Sequence, residues 1–300
     1  MQYSITLLGL VASASAHCLI TSIEGANGVT MPGLSVADGT PRDCSSNGCG
    51  SQADTSIIRD SEIASGEVGP LGRTQGNGPV DPNTMIAAFM SGARAPTNDG
   101  AADSTGVEDD ISALRGASRG RGRGQKARRQ FLGRLFGGGG GGNADGQKNE
   151  FSVESSVAAT AGDGATNGMP TCSDSGEISV TMRQINQDGA GPMEAMVDGT
   201  SGGTDIDAFQ RAEVTQDVPG FVAGLSLTTT TDFPMKIQMP AGMTCDGSAG
   251  GVDNVCIVRV RNSTPAGPFG GSAAFTMPAA ARKRALAYRL KKRMEIGREE

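Results

Sequence analysis

The chain has 300 residues, with 26 Lys or Arg against 32 Asp or Glu, a formal net charge of -6 and a mean hydropathy of -0.24. That length suffices for one sizeable core. The 4% aromatic content, with no Trp, leaves few rings to stack on sugars or bases. No apolar run approaches the roughly 20 residues a membrane span needs, so no span is expected.

Residues 1 to 16, MQYSITLLGLVASASA, combine a polar opening, an apolar run from Ile5 to Ala12 and the small-x-small triplet Ala14-Ser15-Ala16. This is the pattern of a secretory signal cut after Ala16. Such a cut makes His17, the single histidine of the chain, the mature N-terminus. A free amine beside an imidazole suits Cu(II), which makes His17 the candidate metal ligand. A copper site of this type takes a second imidazole, and the chain has none to give.

All six cysteines, Cys18, Cys44, Cys49, Cys172, Cys245 and Cys256, follow the signal. An even count in an exported chain favours disulfides, and spacings of four and ten residues without histidine partners fit zinc modules poorly. Short loops favour Cys44 with Cys49 and Cys245 with Cys256, leaving Cys18 to reach Cys172.

Residues 83 to 90 read equally as a short helix or a strand. Residues 115 to 134 hold eight Lys or Arg and no acid, and lead into six consecutive glycines at 137 to 142. Glycine at that density buries too little to offset its ordering entropy, so 115 to 149 is expected to be a disordered insert. Arg128-Arg129 within it, like Arg282-Lys283-Arg284 and Lys291-Lys292-Arg293 in the tail, resembles sites cut by kexin-type processing proteases in exposed, extended chain. The candidate cut points are Arg129, Arg284 and Arg293. Simple solvation of loop and tail is the alternative.

Period-two alternation marks strands. Ile178, Val180 and Met182 alternate with Ser179, Thr181 and Arg183 over 176 to 186, and a turn-rich corner, Asn186 to Pro192, follows. Met235, Ile237 and Met239 alternate likewise. In VCIVRVR at 255 to 261 the apolar residues face one side and Arg259 with Arg261 the other. Further β-prone runs lie at Phe151 to Thr160 and Phe221 to Thr231. Asn262-Ser263-Thr264 is a glycosylation sequon with Asn262 as acceptor. After Pro278, Leu286, Leu290 and Met294 at i, i+4 and i+8 predict a basic amphipathic helix. The expected architecture is all-β: one disulfide-stapled β-sandwich domain over 17 to 278, interrupted by the insert and followed by a basic tail at 279 to 300.

The two cationic segments leave 10 basic and 29 acidic residues elsewhere, a body near -19. A body so acidic repels nucleic acids and anionic membranes, whereas each cationic segment alone is attracted to polyanions; no nucleic-acid partner is expected.

His17 at a mature N-terminus, TSIIRDSEI at 55 to 63, GRTQGNGPVD at 72 to 81, RQINQDGAGP at 183 to 192 and CIVRVRNSTPAGPFGG at 256 to 271 together resemble the fungal appressorial virulence-factor family, Egh-like or MAS-type. The resemblance covers about 17 to 95 and 150 to 275. It implies a secreted or cell-surface protein associated with appressoria and host penetration; a host surface or a fungal cell-wall polymer as partner follows instead from the cationic insert, which, if retained, binds acidic polymers electrostatically. The family pattern commonly has a histidine at Arg183, and cysteines at Leu71, Val260 and Ser272 and near Ala195. Arg183 therefore removes the residue that would complete a copper site with His17. Two functions follow as expectations: a non-catalytic protein aiding appressorium-mediated attachment or penetration, or a copper-dependent oxidative enzyme on polysaccharide that uses His17.

Overall fold

A computed structural model describes residues 17–45, 47–98, 145–187, 189–221, 224–264 and 267–296. Every strand pairing is antiparallel, in the order β2-β1-β7-β10-β9-β8-β12-β13-β3-β4-β5. The first half holds β1 (Cys18–Glu24), β2 (Thr30–Pro32), β7 (Glu177–Gln184) and β10 (Thr231–Gln238). The second holds β8 (Glu194–Asp198), β12 (Val252–Arg261), β13 (Phe269–Thr276), β3 (Ser56–Ile57), β4 (Arg73–Thr74) and β5 (Gly78–Pro79), with β11 (Gly247–Ala249) on β12. β9 (Phe209–Gln216) belongs to both, because Phe209 to Ala212 pair with β8 while Glu213 to Gln216 pair with β10.

The sheet curls at β9 until β13 lies against β1. A Cβ on Gly271 would strike the main chain at Ile20, so only glycine permits that approach. Ile20, Ile23, Ile178, Val180, Met182, Met235 and Ile237 meet Val258, Val260 and Phe275 in the core. Each such side chain contributes about 1.5–3 kcal/mol when fully buried.

β7 follows the alternation read from its sequence: Ile178, Val180 and Met182 are buried, while Ser179 and Thr181 are half-buried. The segment at 82–91 is a helix. Asp81 accepts the Asn83 N–H, Pro82 starts the first turn, and Gly92 at φ 70° ends the last one.

Three local expectations are overturned. Residues 156–160 form a short helix instead of a strand, because Asp38, 119 and 120 residues away, accepts the Val157 and Ala158 N–H groups at its start. Residue 221 and residues 224–230 form a loop, with an isolated bridge between Phe221 and Leu225. The Gln184 side chain holds that loop, its Nε2 donating to Asn186 O, Ser226 Oγ and Thr228 O. The face of β12 carrying Arg259 is covered, with Arg259 only 3% exposed and donating to Pro70 O at 2.7 Å. Burial and its neighbour Arg261 lower the Arg259 pKa to about 10.

Most of the expected insert lies outside the described residues. Its last five residues, 145–149, are described, and Gln147–Lys148 form β6 on the edge of β10. A Cβ on Gly146 would collide with the Phe233 ring, and the Lys148 ammonium donates to carbonyl and hydroxyl oxygens of Thr229 and Thr230, so this largely exposed stretch is tied to its neighbours.

Candidate functional site

One end of β7 gathers the segments that the sequence singled out. Ile185 N–H donates to His17 O at 3.0 Å, and His17 N–H donates to Asn186 Oδ1 at 2.6 Å. The His17 ring lies 4.3 Å from that of Phe269. Gly189 passes so close to the His17 carbonyl that a side chain there would collide with it. Phe269 pairs with Ile57, and Ile57 with Arg73. His17, Ile57, Arg73, Ile185, Asn186, Gly189 and Phe269, at least one from each of those segments, thus meet at one junction. Of these, His17, Ile57, Ile185, Gly189 and Phe269 are buried.

The donor chemistry around His17 bears on copper. His17 is fully buried, its main-chain nitrogen already donates to Asn186, and its ring faces Phe269. Among the described residues no three His, Cys, Asp or Glu side chains are placed to share a metal ion. The residues do not fit a copper site.

Arg183 is committed to partners of its own. It is 2% exposed and pairs with its cross-strand neighbour Asp232, Nε and Nη2 each donating at 2.6 Å. Nη2 also reaches Asn149 Oδ1 at 3.2 Å, and the guanidinium lies 4.9 Å from the Phe151 ring centre. A bidentate pair with a stacked aromatic is a geometry arginine makes and histidine cannot.

Around this anchor the surface is apolar. Phe151, Phe221, Leu225 and Leu227 are 45–61% exposed. Their two segments meet where Asn149 N–H donates to Thr230 O, and both are tied to β7: Phe151 through Arg183, the 221–230 loop through Gln184 and through Ala190 N–H to Gly224 O. These side chains are therefore held outward by a hydrogen-bonded frame. The 221–230 run read as a strand from composition. Its three threonines and its Gly-Leu-Ser-Leu stretch were the available signal for an exposed loop.

A second opening, of about 540 Å³, lies over β8 and β9 and is lined by Glu194, Arg211, Glu213 and Asp217. Burial raises the Asp217 pKa. Its oxygens are used on the N–H groups of Met193 and Val218, which makes it an anchor for the Pro192 corner.

The remaining candidate residues fall as follows. Cys44–Cys49 and Cys245–Cys256 are disulfides. Cys18 and Cys172 are not joined, which corrects the expected third bridge. Cys18 pairs with Gln184 at one end of β7, whereas Cys172 precedes its other end, so the whole strand separates them. Asn262 is 2% exposed and its Oδ1 accepts the Thr264 and Phe269 N–H groups, so the acceptor side chain of the sequon is buried and engaged. Arg284 and Arg293 lie within the helix Ala279–Ile296, so a protease that requires extended chain meets a helix there. Ala16 and Arg129 lie outside the described residues. Sequence reasoning missed the fully buried Arg42, which is bonded to Asp54 at 2.6 and 2.9 Å and to Glu154 at 2.9 Å.

The model of the Egh16-like virulence factor family matches residues 15–270. The chain belongs to the Egh16-like family. Among curated relatives, an appressoria-specific virulence factor, GAS2, of Pyricularia oryzae is 48% identical over 297 residues, covering 98% of this chain and 95% of the relative. A second, GAS1, of the same fungus is 36% identical over 129 residues, 41% of this chain and 50% of the relative. No solved structure matches. The chain is thus a fungal virulence protein by family. In this member Val260 and Ala195 are direct cross-strand partners on β12 and β8.

Proposed function

We propose that this Egh16-like protein is exported, cut after Ala16, and acts outside the fungal cell as a non-catalytic factor aiding appressorium-mediated attachment to, or penetration of, a host. The observation that carries this reading is the framed apolar surface of Phe151, Phe221, Leu225 and Leu227. Rings and leucines held outward beside the buried Arg183 mark a contact surface, since a folded protein otherwise buries such groups. A host surface or a fungal cell-wall polymer is the class of partner such a surface fits. Two disulfides accord with an oxidising compartment. Among the described residues no helix is long and apolar enough to cross a membrane.

The test is binding of protein secreted by a fungal host to isolated host cuticle and to fungal wall material, against the triple variant Phe221→Ser, Leu225→Ser, Leu227→Ser. The variant should keep both disulfides and its thermal midpoint and lose retention on at least one of these surfaces. Equal retention by the two proteins would remove this surface from the reading. Polysaccharide oxidation by the wild type would replace the reading with an enzymatic one.

A further inference from the structure

The C-terminal helix, Ala279–Ile296, has two unlike faces. With about 3.6 residues per turn, Ala281, Ala285 and Tyr288 share the side against the body, where Ala281 and Ala285 are buried. The helix is fixed there by Arg282, which donates to Asp246 Oδ1 at 2.8 Å and Cys245 O at 3.1 Å, and by Arg289, which donates to Gly242 O at 2.6 Å and Thr244 Oγ1 at 3.1 Å. Leu286, Leu290 and Met294 fall on the opposite side and are 44%, 60% and 63% exposed. Docking on the body does not use them.

The same helix carries seven Lys or Arg and one Glu, on a chain whose net charge is -6. Lys283 lies within the outward face, and Lys291 and Arg293 flank it. An apolar stripe bordered by cations is the pattern of a helix that lies in the plane of an anionic lipid surface, with leucines below the headgroups and long basic side chains reaching the phosphates.

We propose that the outward face of this helix is a docking site for an anionic lipid bilayer, on which the protein lies without spanning it. Charge complementarity selects that occupant. A neutral apolar partner would leave the basic border unpaired, and a soluble polyanion would leave the stripe in water. The site is separate from the apolar surface at Arg183, on a different element of the chain.

The experiment is co-sedimentation of the full secreted chain with phosphatidylcholine vesicles containing phosphatidylserine, and with phosphatidylcholine vesicles alone. Binding should require the anionic lipid and fall with added salt. The variant Leu286→Gln, Leu290→Gln, Met294→Gln keeps helix propensity and leaves the docked face untouched. It should partition roughly tenfold more weakly or worse. The variant Lys291→Gln, Lys292→Gln, Arg293→Gln should also lose binding. Failure of the wild type to bind anionic vesicles overturns the proposal, as does equal binding to both vesicle types. Wild-type partitioning by the stripe variant overturns it too and reduces the helix to a general polyanion binder, which retention on soluble polygalacturonate would then confirm.

Discussion

Arg42 and Glu154, 112 residues apart, are joined by a hydrogen bond of 2.9 Å between Nε and Oε2, with both side chains almost fully buried. Asp54 takes the other edge of the guanidinium. Burial alone would raise the Glu154 pKa, but the Arg42 charge and hydrogen bonds from Ser156 outweigh it and hold the carboxyl below its ordinary 4.5. A carboxylate with a lowered folded pKa contributes its stability fully above the unfolded value and loses it as pH falls through the folded one. The Glu154→Gln variant should therefore be less stable at pH 7, and its deficit should shrink as pH drops below about 4.5. Arg42→Met, which strands two buried carboxylates, should cost about 3–5 kcal/mol in urea unfolding at pH 7. A deficit in Glu154→Gln that stays constant with pH would contradict the pairing.

The same pair bears on the segment between residues 98 and 145. Its entry is fixed by Asn98 N–H to Asp38 O, and the chain after its exit by β6 and by main-chain bonds of Gly39 and Arg42 to Glu154 and Ser152. Replacing 99–144 with a short Gly-Ser linker should leave the thermal midpoint within a few degrees of the full chain. A collapse of cooperative unfolding would show that the removed residues contribute to the core.

Asn262 acts as an internal acceptor. Intact mass of protein from a glycosylating host should show no N-glycan at this position. Asn262→Ala should cost about 1–3 kcal/mol, because the Thr264 and Phe269 N–H groups lose their partner. A glycan found there by peptide mapping would contradict the burial.

The Cys172 thiol is pushed up to about 11, chiefly by burial. Iodoacetamide at neutral pH should leave it unmodified in the native protein and label it readily once denatured. Unreduced peptide maps should contain Cys44–Cys49 and Cys245–Cys256 peptides and no Cys18–Cys172 peptide. A native Cys18–Cys172 peptide would require β1 and β7 to pair in a different register.

The sequence by itself determined the β class, the alternating face of β7, the two short disulfide loops, the helical tail and the family, and left 83–90 open between helix and strand. Each is a local signal: a period of two, a spacing of a few residues, a cap with its proline, or a contiguous motif. Tertiary structure decided the rest, because it turns on contacts between residues far apart in the chain. Asp38 makes a helix of 156–160, and Gln184 turns a β-prone run into a loop that exposes Phe221, Leu225 and Leu227. The length of β7 keeps Cys18 from Cys172, and Phe269 buries both the sequon of Asn262 and the ring of His17. A side chain's chemistry is written in sequence, but its access to solvent or to a partner is set by what folds over it.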